Sequence, residues 1–160
     1  MGMTITEDEQ LELRNVLTYR GTVSQRDLST IMEEMEQVIQ KNNAEKVGPM
    51  ISVTHGVAKE NNQIVVDAEL MQALDRPLDV SGMYTLKPRF LLQNAVKVHF
   101  EGAVNEMGKC SLAMKNYIKE NALTPITSGY TVNVKMPKSE AEVKNGCIVD
   151  YYMGVTSNIL

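Results

Sequence analysis

The sequence predicts an α+β protein in which two tandem β-α-β-β units form a largely antiparallel sheet with two helices on one face. The order strand, helix, strand, strand is found over residues 11–73 and again over residues 89–155. Gly21 and Gly102, which end the first strand of each unit, are 81 residues apart. The length of 160 residues suits a single domain, 1–160, containing both units. A single ferredoxin-like domain with additional strands is the alternative.

The first unit begins with a strand at residues 11–21, LELRNVLTYRG. Ser24 is a favourable helix N-cap, and Asp27 follows it at the capping-box spacing. The helix is expected to end near Asn42 or Asn43. Its apolar side chains recur at helical spacing and predict a buried face: Leu28, Ile31, Met32, Met35, Val38 and Ile39.

Two further strands complete the first unit, at residues 50–58 and 64–71. Asn61 and Asn62 lie between them and predict a tight hairpin turn, because asparagine tolerates positive φ. Residues 74–88 contain two prolines and a Ser-Gly pair, which predict a linker.

The second unit repeats this order. Residues 90–102 alternate apolar and polar side chains, which is typical of a strand. Asn105 is the expected N-cap of a second helix, and residues 130–136 and 147–155 are the remaining strands. Four side chains predict the apolar face of that helix: Cys110, Met114, Tyr117 and Ile118.

Composition excludes several classes of function. The net charge is −4, the basic residues are scattered and tryptophan is absent, which argues against a nucleic-acid groove. No apolar segment is long enough to span a membrane, and the start of the chain lacks the features of a secretion signal. Cys110 and Cys147 form no CxxC pair, so we expect a reduced, cytoplasmic protein.

No pattern in the sequence indicates an enzyme, a metal site or a cofactor. The two histidines, His55 and His99, lie on different strands with no cysteine or histidine at ligand spacing. GxSxG, HExxH, P-loop and GxGxxG patterns do not occur. Both cysteines fall at apolar positions, which favours core residues over nucleophiles. We therefore predict no catalytic residues, no metal and no cofactor.

The doubled order of elements, together with the segments LTYRGTVS (residues 17–24) and SGYTVNV (residues 128–134), resembles the GyrI-like superfamily. This is also the fold of the effector-binding domain in BmrR-type multidrug-responsive regulators. The chain also resembles an uncharacterised GyrI-like family of Gram-positive bacteria. The resemblance implies a cleft between the two units. It also implies an acidic strand residue that meets a lipophilic cation, a role that falls here on Asp150 or Asp67. The superfamily usually has glutamate at this position.

Strand alternation places the candidate carboxylates. Asp67 and Glu69 share a face of residues 64–71, opposite the small apolar side chains that suit packing under a helix. They are therefore expected on the open face of the sheet, where the simplest interpretation is solvation. Asp150 shares a face with Tyr152, and Tyr130 is a further aromatic candidate. A carboxylate in that setting must be wet or paired, and a cationic ligand is one such partner.

The sequence thus predicts a stand-alone, non-enzymatic module that binds a small lipophilic molecule, with a cation as one option. The predicted ligand-binding residues are Asp150, Tyr152, Tyr130, Asp67 and Glu69. Two alternatives remain open: a protein-interaction adaptor or chaperone, for which type VII secretion toxins are one option, and a weak hydrolase of the GyrI-like kind. The expected partner is the small molecule, with a protein as a second option and with no nucleic acid and no membrane. The chain is expected to be a monomer or a homodimer.

Overall fold

The computed structural model describes residues 2–157 of the chain. Over this range the chain forms six strands and two α-helices, with two short 3-10 helices at residues 104–106 and 140–145. The strand pairs are antiparallel, and the α+β class is confirmed. The elements are β1 (Gly2–Ser24), α1 (Gln25–Lys41), β2 (Ile51–Glu60), β3 (Gln63–Ala73), β4 (Tyr84–Gly102), α2 (Lys109–Glu120), β5 (Leu123–Lys135) and β6 (Cys147–Ser157).

The chain divides into two compact units. The N-terminal unit is Glu12–Phe90. The C-terminal unit contains the described chain from Leu91 onward together with residues 2–11. Each is described separately below. No helix among the described residues is long and apolar enough to cross a membrane.

In the N-terminal unit, β3 lies between β1 and β2 and pairs with both in antiparallel register. The apolar face of α1 packs with Leu17, Tyr19 and Leu70 in one core cluster, as the helical spacing predicted. Ser24 caps the helix, because its hydroxyl accepts a hydrogen bond of 3.3 Å from the backbone amide of Asp27. The buried helix residues are Ile31, Met35 and Ile39.

In the C-terminal unit, β6 lies between β4 and β5, again antiparallel to both. The helix α2 packs on the face that carries Val98, Phe100 and Val149, and the predicted apolar face is confirmed. Its buried residues are Cys110, Met114 and Ile118. The expected cap at Asn105 is wrong, because that residue lies within the short 3-10 helix and α2 begins only at Lys109.

Three strands begin earlier in the chain than the sequence predicted. Strand β1 starts at Gly2 rather than residue 11, β4 at Tyr84 inside the predicted linker, and β5 at Leu123 rather than residue 130. The early part of β4 is anchored on β1, because the Thr18 hydroxyl donates a hydrogen bond of 3.0 Å to the carbonyl of Thr85. Proline and glycine suggested loops at the starts of β4 and β5, but an irregular strand accommodates both types of residue.

The strand register gives Asp67 and Asp150 different positions in their two units. Asp67 lies one residue before the partner of Gly21 on β3. Asp150 lies three residues after the partner of Gly102 on β6. When the two glycines are matched, the two aspartates therefore occupy different positions in their units, and the internal duplication itself stays a prediction.

Candidate functional site

In the N-terminal unit, Glu69 is buried with two basic partners. Its carboxylate accepts hydrogen bonds from the ammonium of Lys87 at 2.8 Å and pairs with Nε2 of His55 at 2.9 Å. The residue is 6% exposed, so the expectation of a solvated Glu69 on an open face is wrong. Burial raises the pKa of Glu69, but the hydrogen bonds and charges of Lys87 and His55 outweigh it, and its pKa lies below the ordinary value.

His55 lies at an irregularity in β2, two residues after Val53, the register partner of Glu69. The register between β2 and β3 shifts between Thr54 and Gly56, which leaves His55 as the additional residue of a β-bulge. The meeting of His55 and Glu69 depends on the register between β2 and β3, and alternation within a single strand gave no indication of it.

Asp67, the second predicted carboxylate of this unit, forms a bidentate ion pair. Its two oxygens accept hydrogen bonds from Nε and Nη2 of Arg20 at 3.3 and 3.0 Å. The Asp67 side chain is 38% exposed, as expected for the open face. The Arg20 hydrogen bond is the main reason that the pKa of Asp67 lies below its ordinary value.

In the C-terminal unit, Asp150 pairs with His99 directly across the β4–β6 ladder. The distance from His99 Nδ1 to Asp150 Oδ1 is 2.5 Å, and the Asp150 side chain is 19% exposed. The other ring nitrogen, Nε2, lies 4.0 Å from the Glu101 carboxylate. His99 therefore lies between two carboxylates and is fixed in orientation by the nearer one.

Tyr152 follows on the same face and is 8% exposed. Burial, together with the charges of Asp150 and Glu9, raises its pKa to about 12. The ammonium of Lys97 lies 5.9 Å from the centre of the Tyr152 ring. Tyr130 is the register partner of Tyr152 on β5, so the two tyrosines are neighbours on this face.

The five predicted site residues thus fall into two groups. The face of the C-terminal unit that points away from α2 carries Asp150, Tyr152 and Tyr130, and we call it the Asp150 face. Asp67 and Glu69 lie in the N-terminal unit. Sequence reasoning missed the basic side chains beside each group, although the alternation around Val98 had placed Lys97, His99 and Glu101 on one side of β4.

The C-terminal unit contains a cavity of about 480 Å³ at the end of the β4–β6 pair. Glu101 and Ile148 line it, and both lie on the Asp150 face. A smaller cavity of about 190 Å³ includes Asn94 and Val155 in its lining. Neither of these two cavities is lined by Asp150 or Tyr152. We therefore define the candidate site by its paired charged residues and not by a cavity.

Metal and thiol chemistry receive no support over residues 2–157. No group of three or more potential metal-ligating side chains occurs there. Cys110 and Cys147 are buried, and burial raises the pKa of both thiols, which disfavours the reactive thiolate.

Comparison with known proteins identifies the fold. No protein-family model and no curated protein sequence matches the chain. Among solved structures, the C-terminal domain of EcmrR is similar, with a TM-score of 0.69 and 13% identity over 98% of both chains. EcmrR in complex with DNA has a TM-score of 0.70 at 13% identity, and here 98% of this chain spans 58% of the EcmrR chain.

Further similar structures carry varied descriptions. An uncharacterised conserved protein from Listeria innocua has a TM-score of 0.61 at 11% identity, over 96% of this chain and 92% of that one. A hydrolase from Listeria innocua has a TM-score of 0.55 at 11% identity, over 96% and 91% of the two chains. SAV2435 bound to tetraphenylphosphonium has a TM-score of 0.50 at 12% identity, over 98% and 94%. The chain therefore shares the fold of the EcmrR C-terminal domain and of SAV2435.

Proposed function

We propose that the chain binds a lipophilic organic cation on the Asp150 face, with Asp150 as the counter-ion and Tyr152 and Tyr130 as aromatic walls. One observation carries the proposal. Of the three predicted carboxylates, only Asp150 has neither a lysine nor an arginine partner among the residues that the structure describes. Its partner is the imidazole ring of His99, which contacts the carboxylate through Nδ1.

The other two carboxylates are poor counter-ions for a ligand. Asp67 is already paired with Arg20, and Glu69 is paired with Lys87. A cation that bound either one would have to displace a charged side chain and leave that side chain without its partner. At Asp150 a cation would not have to displace a lysine or an arginine from the carboxylate.

The surroundings of Asp150 suit a cation with an apolar body. Tyrosine rings attract a cation through their negatively charged faces and bury apolar surface at the same time. SAV2435, which shares the fold, is a protein bound to tetraphenylphosphonium, a lipophilic cation. At 12% identity this similarity supports the choice of ligand class and leaves the choice of residues to the geometry.

The test is isothermal titration calorimetry with tetraphenylphosphonium on the wild type, Asp150→Asn and Asp67→Asn. We expect binding by the wild type, a loss of about 30-fold or more in affinity for Asp150→Asn, and no change for Asp67→Asn. Circular dichroism verifies that each variant is folded. Equal binding by the wild type and Asp150→Asn would overturn the proposal, and no binding by any variant would leave a protein partner as the next candidate.

Hydrolysis at the same face is a second candidate, and the pairing of His99 with Asp150 favours it. A carboxylate bound to Nδ1 orients an imidazole so that Nε2 can take a proton from water, as in general-base catalysis. A similar structure from Listeria innocua is described as a hydrolase. If this candidate is correct, His99→Gln should lower the rate of p-nitrophenyl acetate hydrolysis about 100-fold or more, whereas an unchanged background rate would eliminate it.

A further inference from the structure

Lys97 places a basic side chain beside the Tyr152 ring in the C-terminal unit. It is the cross-strand partner of Tyr152 in the β4–β6 ladder. Its ammonium lies 5.9 Å from the centre of the Tyr152 ring and 3.9 Å from the Glu9 carboxylate. The Lys97 side chain is 25% exposed, so a positive charge already occupies the aromatic surface on which we place a ligand.

Both contacts of Lys97 are loose. A cation is held over a ring at up to about 6 Å from its centre, and the observed distance is at this limit. A direct hydrogen bond between an ammonium and a carboxylate measures about 2.7–2.9 Å, well below the 3.9 Å to Glu9. The ammonium is therefore shared between two partners without a short bond to either, and a small rotation of the side chain moves it from one to the other.

The neighbouring charges determine where the ammonium can go. The charges of Asp150 and Glu9 both help to raise the pKa of Tyr152. His99 and Glu101 follow Lys97 on the same side of β4. If a ligand cation takes the place beside Tyr152 and Asp150, Glu9 remains available to the displaced ammonium. The site can thus exchange one cation for another without leaving Lys97 unpaired.

We infer that Lys97 is an internal cation that occupies the ring of Tyr152 in the free protein and that a ligand must displace toward Glu9. The inference rests on the proposed function of the same face. It makes Lys97 a specificity-determining residue. A ligand binds only if its own binding free energy at the site exceeds the free energy lost when Lys97 leaves the ring. A cation with a large apolar body gains enough free energy from the burial of its apolar surface to displace Lys97, whereas a small hydrated cation does not. Lys97 would thereby select lipophilic cations over small ones.

The test compares four proteins with two ligands by isothermal titration calorimetry. The proteins are the wild type, Lys97→Met, Lys97→Arg and Lys135→Met, and the ligands are tetraphenylphosphonium and tetramethylammonium. Lys135 is the matched control, because it is an exposed lysine of the same unit that pairs with Ile148, four residues along β6 from Tyr152. Circular dichroism verifies the fold of each variant.

We expect Lys97→Met to bind tetraphenylphosphonium about fivefold more tightly than the wild type, and to bind tetramethylammonium measurably when the wild type does not. Lys97→Arg keeps the cation over the ring and should bind no more tightly than the wild type. Lys135→Met should behave as the wild type. Unchanged or weaker binding by Lys97→Met would overturn the inference, and so would an equal gain from Lys135→Met, because that gain would reflect net charge alone.

Failure of the inference and failure of the proposed function give different results. If the wild type binds tetraphenylphosphonium and Asp150→Asn does not, but Lys97→Met equals the wild type, then only the inference about Lys97 is wrong. If neither the wild type nor Lys97→Met binds either ligand, both are wrong, since removal of the internal cation should have revealed any cation site at Tyr152.

Discussion

The ammonium of Lys87 lies 2.8 Å from the carboxylate of Glu69, and that carboxylate is almost entirely buried. The two residues are 18 positions apart, on β3 and on the early part of β4. A charge removed from water must be compensated, and here one lysine and one histidine compensate it. This arrangement is better suited to holding the N-terminal unit together than to receiving a ligand.

Glu69→Gln should therefore destabilise the protein. The amide keeps the size of the side chain but cannot accept charge-assisted hydrogen bonds from both Lys87 and His55. We expect the free energy of unfolding to fall by about 1–3 kcal/mol, measured by urea denaturation. Asp67→Asn is the control, because the half-exposed pair with Arg20 is expected to contribute less than about 1 kcal/mol. An equal loss from both variants would contradict the structural role of Glu69.

The same residue predicts a dependence of stability on pH. The pKa of Glu69 in the folded protein is below its ordinary value of 4.5. The stabilisation is therefore fully present above that ordinary pKa and is lost as the pH falls through the lower pKa of the folded state. Urea unfolding in steps from pH 6 downward should show stability falling below about pH 4.5, with a shallower decline in Glu69→Gln. Parallel curves for the two proteins would refute the assignment.

Tyr152 predicts a distinct titration. Because burial and the charges of Asp150 and Glu9 raise its pKa to about 12, it should ionise after an ordinary tyrosine. Absorbance at the tyrosinate band between pH 9 and pH 13 measures this step, and circular dichroism at each pH verifies the fold. Tyr152→Phe should remove the last phase, and Asp150→Asn should move it to lower pH. A last phase that survives in Tyr152→Phe would show that another tyrosine is responsible.

Gly146 predicts a large effect of one added methyl group. Its φ is +76°, and a Cβ atom there would lie 2.6 Å from the carbonyl oxygen of Gly102, which as backbone cannot rotate away. Gly146→Ala should lower the free energy of unfolding by about 1–3 kcal/mol. Gly108→Ala is the matched control, since Gly108 has a φ of −59° and no neighbour within 4 Å of the added atom. The control should be neutral or stabilise by about 0.4–1 kcal/mol.

The helices were predictable because their signals are local. Ile31, Met35 and Ile39 recur every four residues, and Ser24 precedes the first turn, so neighbouring residues alone determine both the face and the start of α1. The start of β5 was missed because Pro125 and Gly129 are typical turn residues. The strand takes them up in an irregular segment of its pairing with β6.

The candidate site was predictable only in part, for a related reason. Alternation along one strand placed Asp150 and Tyr152 on a common face. The position of His99 opposite Asp150 depends on the register between β4 and β6, and no single strand encodes that register. The pairing of Glu69 depends on Lys87, whose segment has the composition of a linker, and on His55, which lies on the neighbouring strand. These contacts join residues that are far apart in the sequence, so the pattern of neighbouring residues does not reveal them.

The two buried cysteines have a practical consequence for measuring the opening of the molecule. Cys110 and Cys147 both belong to the core cluster of the C-terminal unit, and the sequence contains no other cysteine. A thiol-specific reagent can therefore modify the chain only when that core opens, and opening of the N-terminal unit alone exposes no thiol. The rate of thiol labelling in native buffer therefore measures local opening of the C-terminal unit. This measurement uses the wild type and needs no engineered probe.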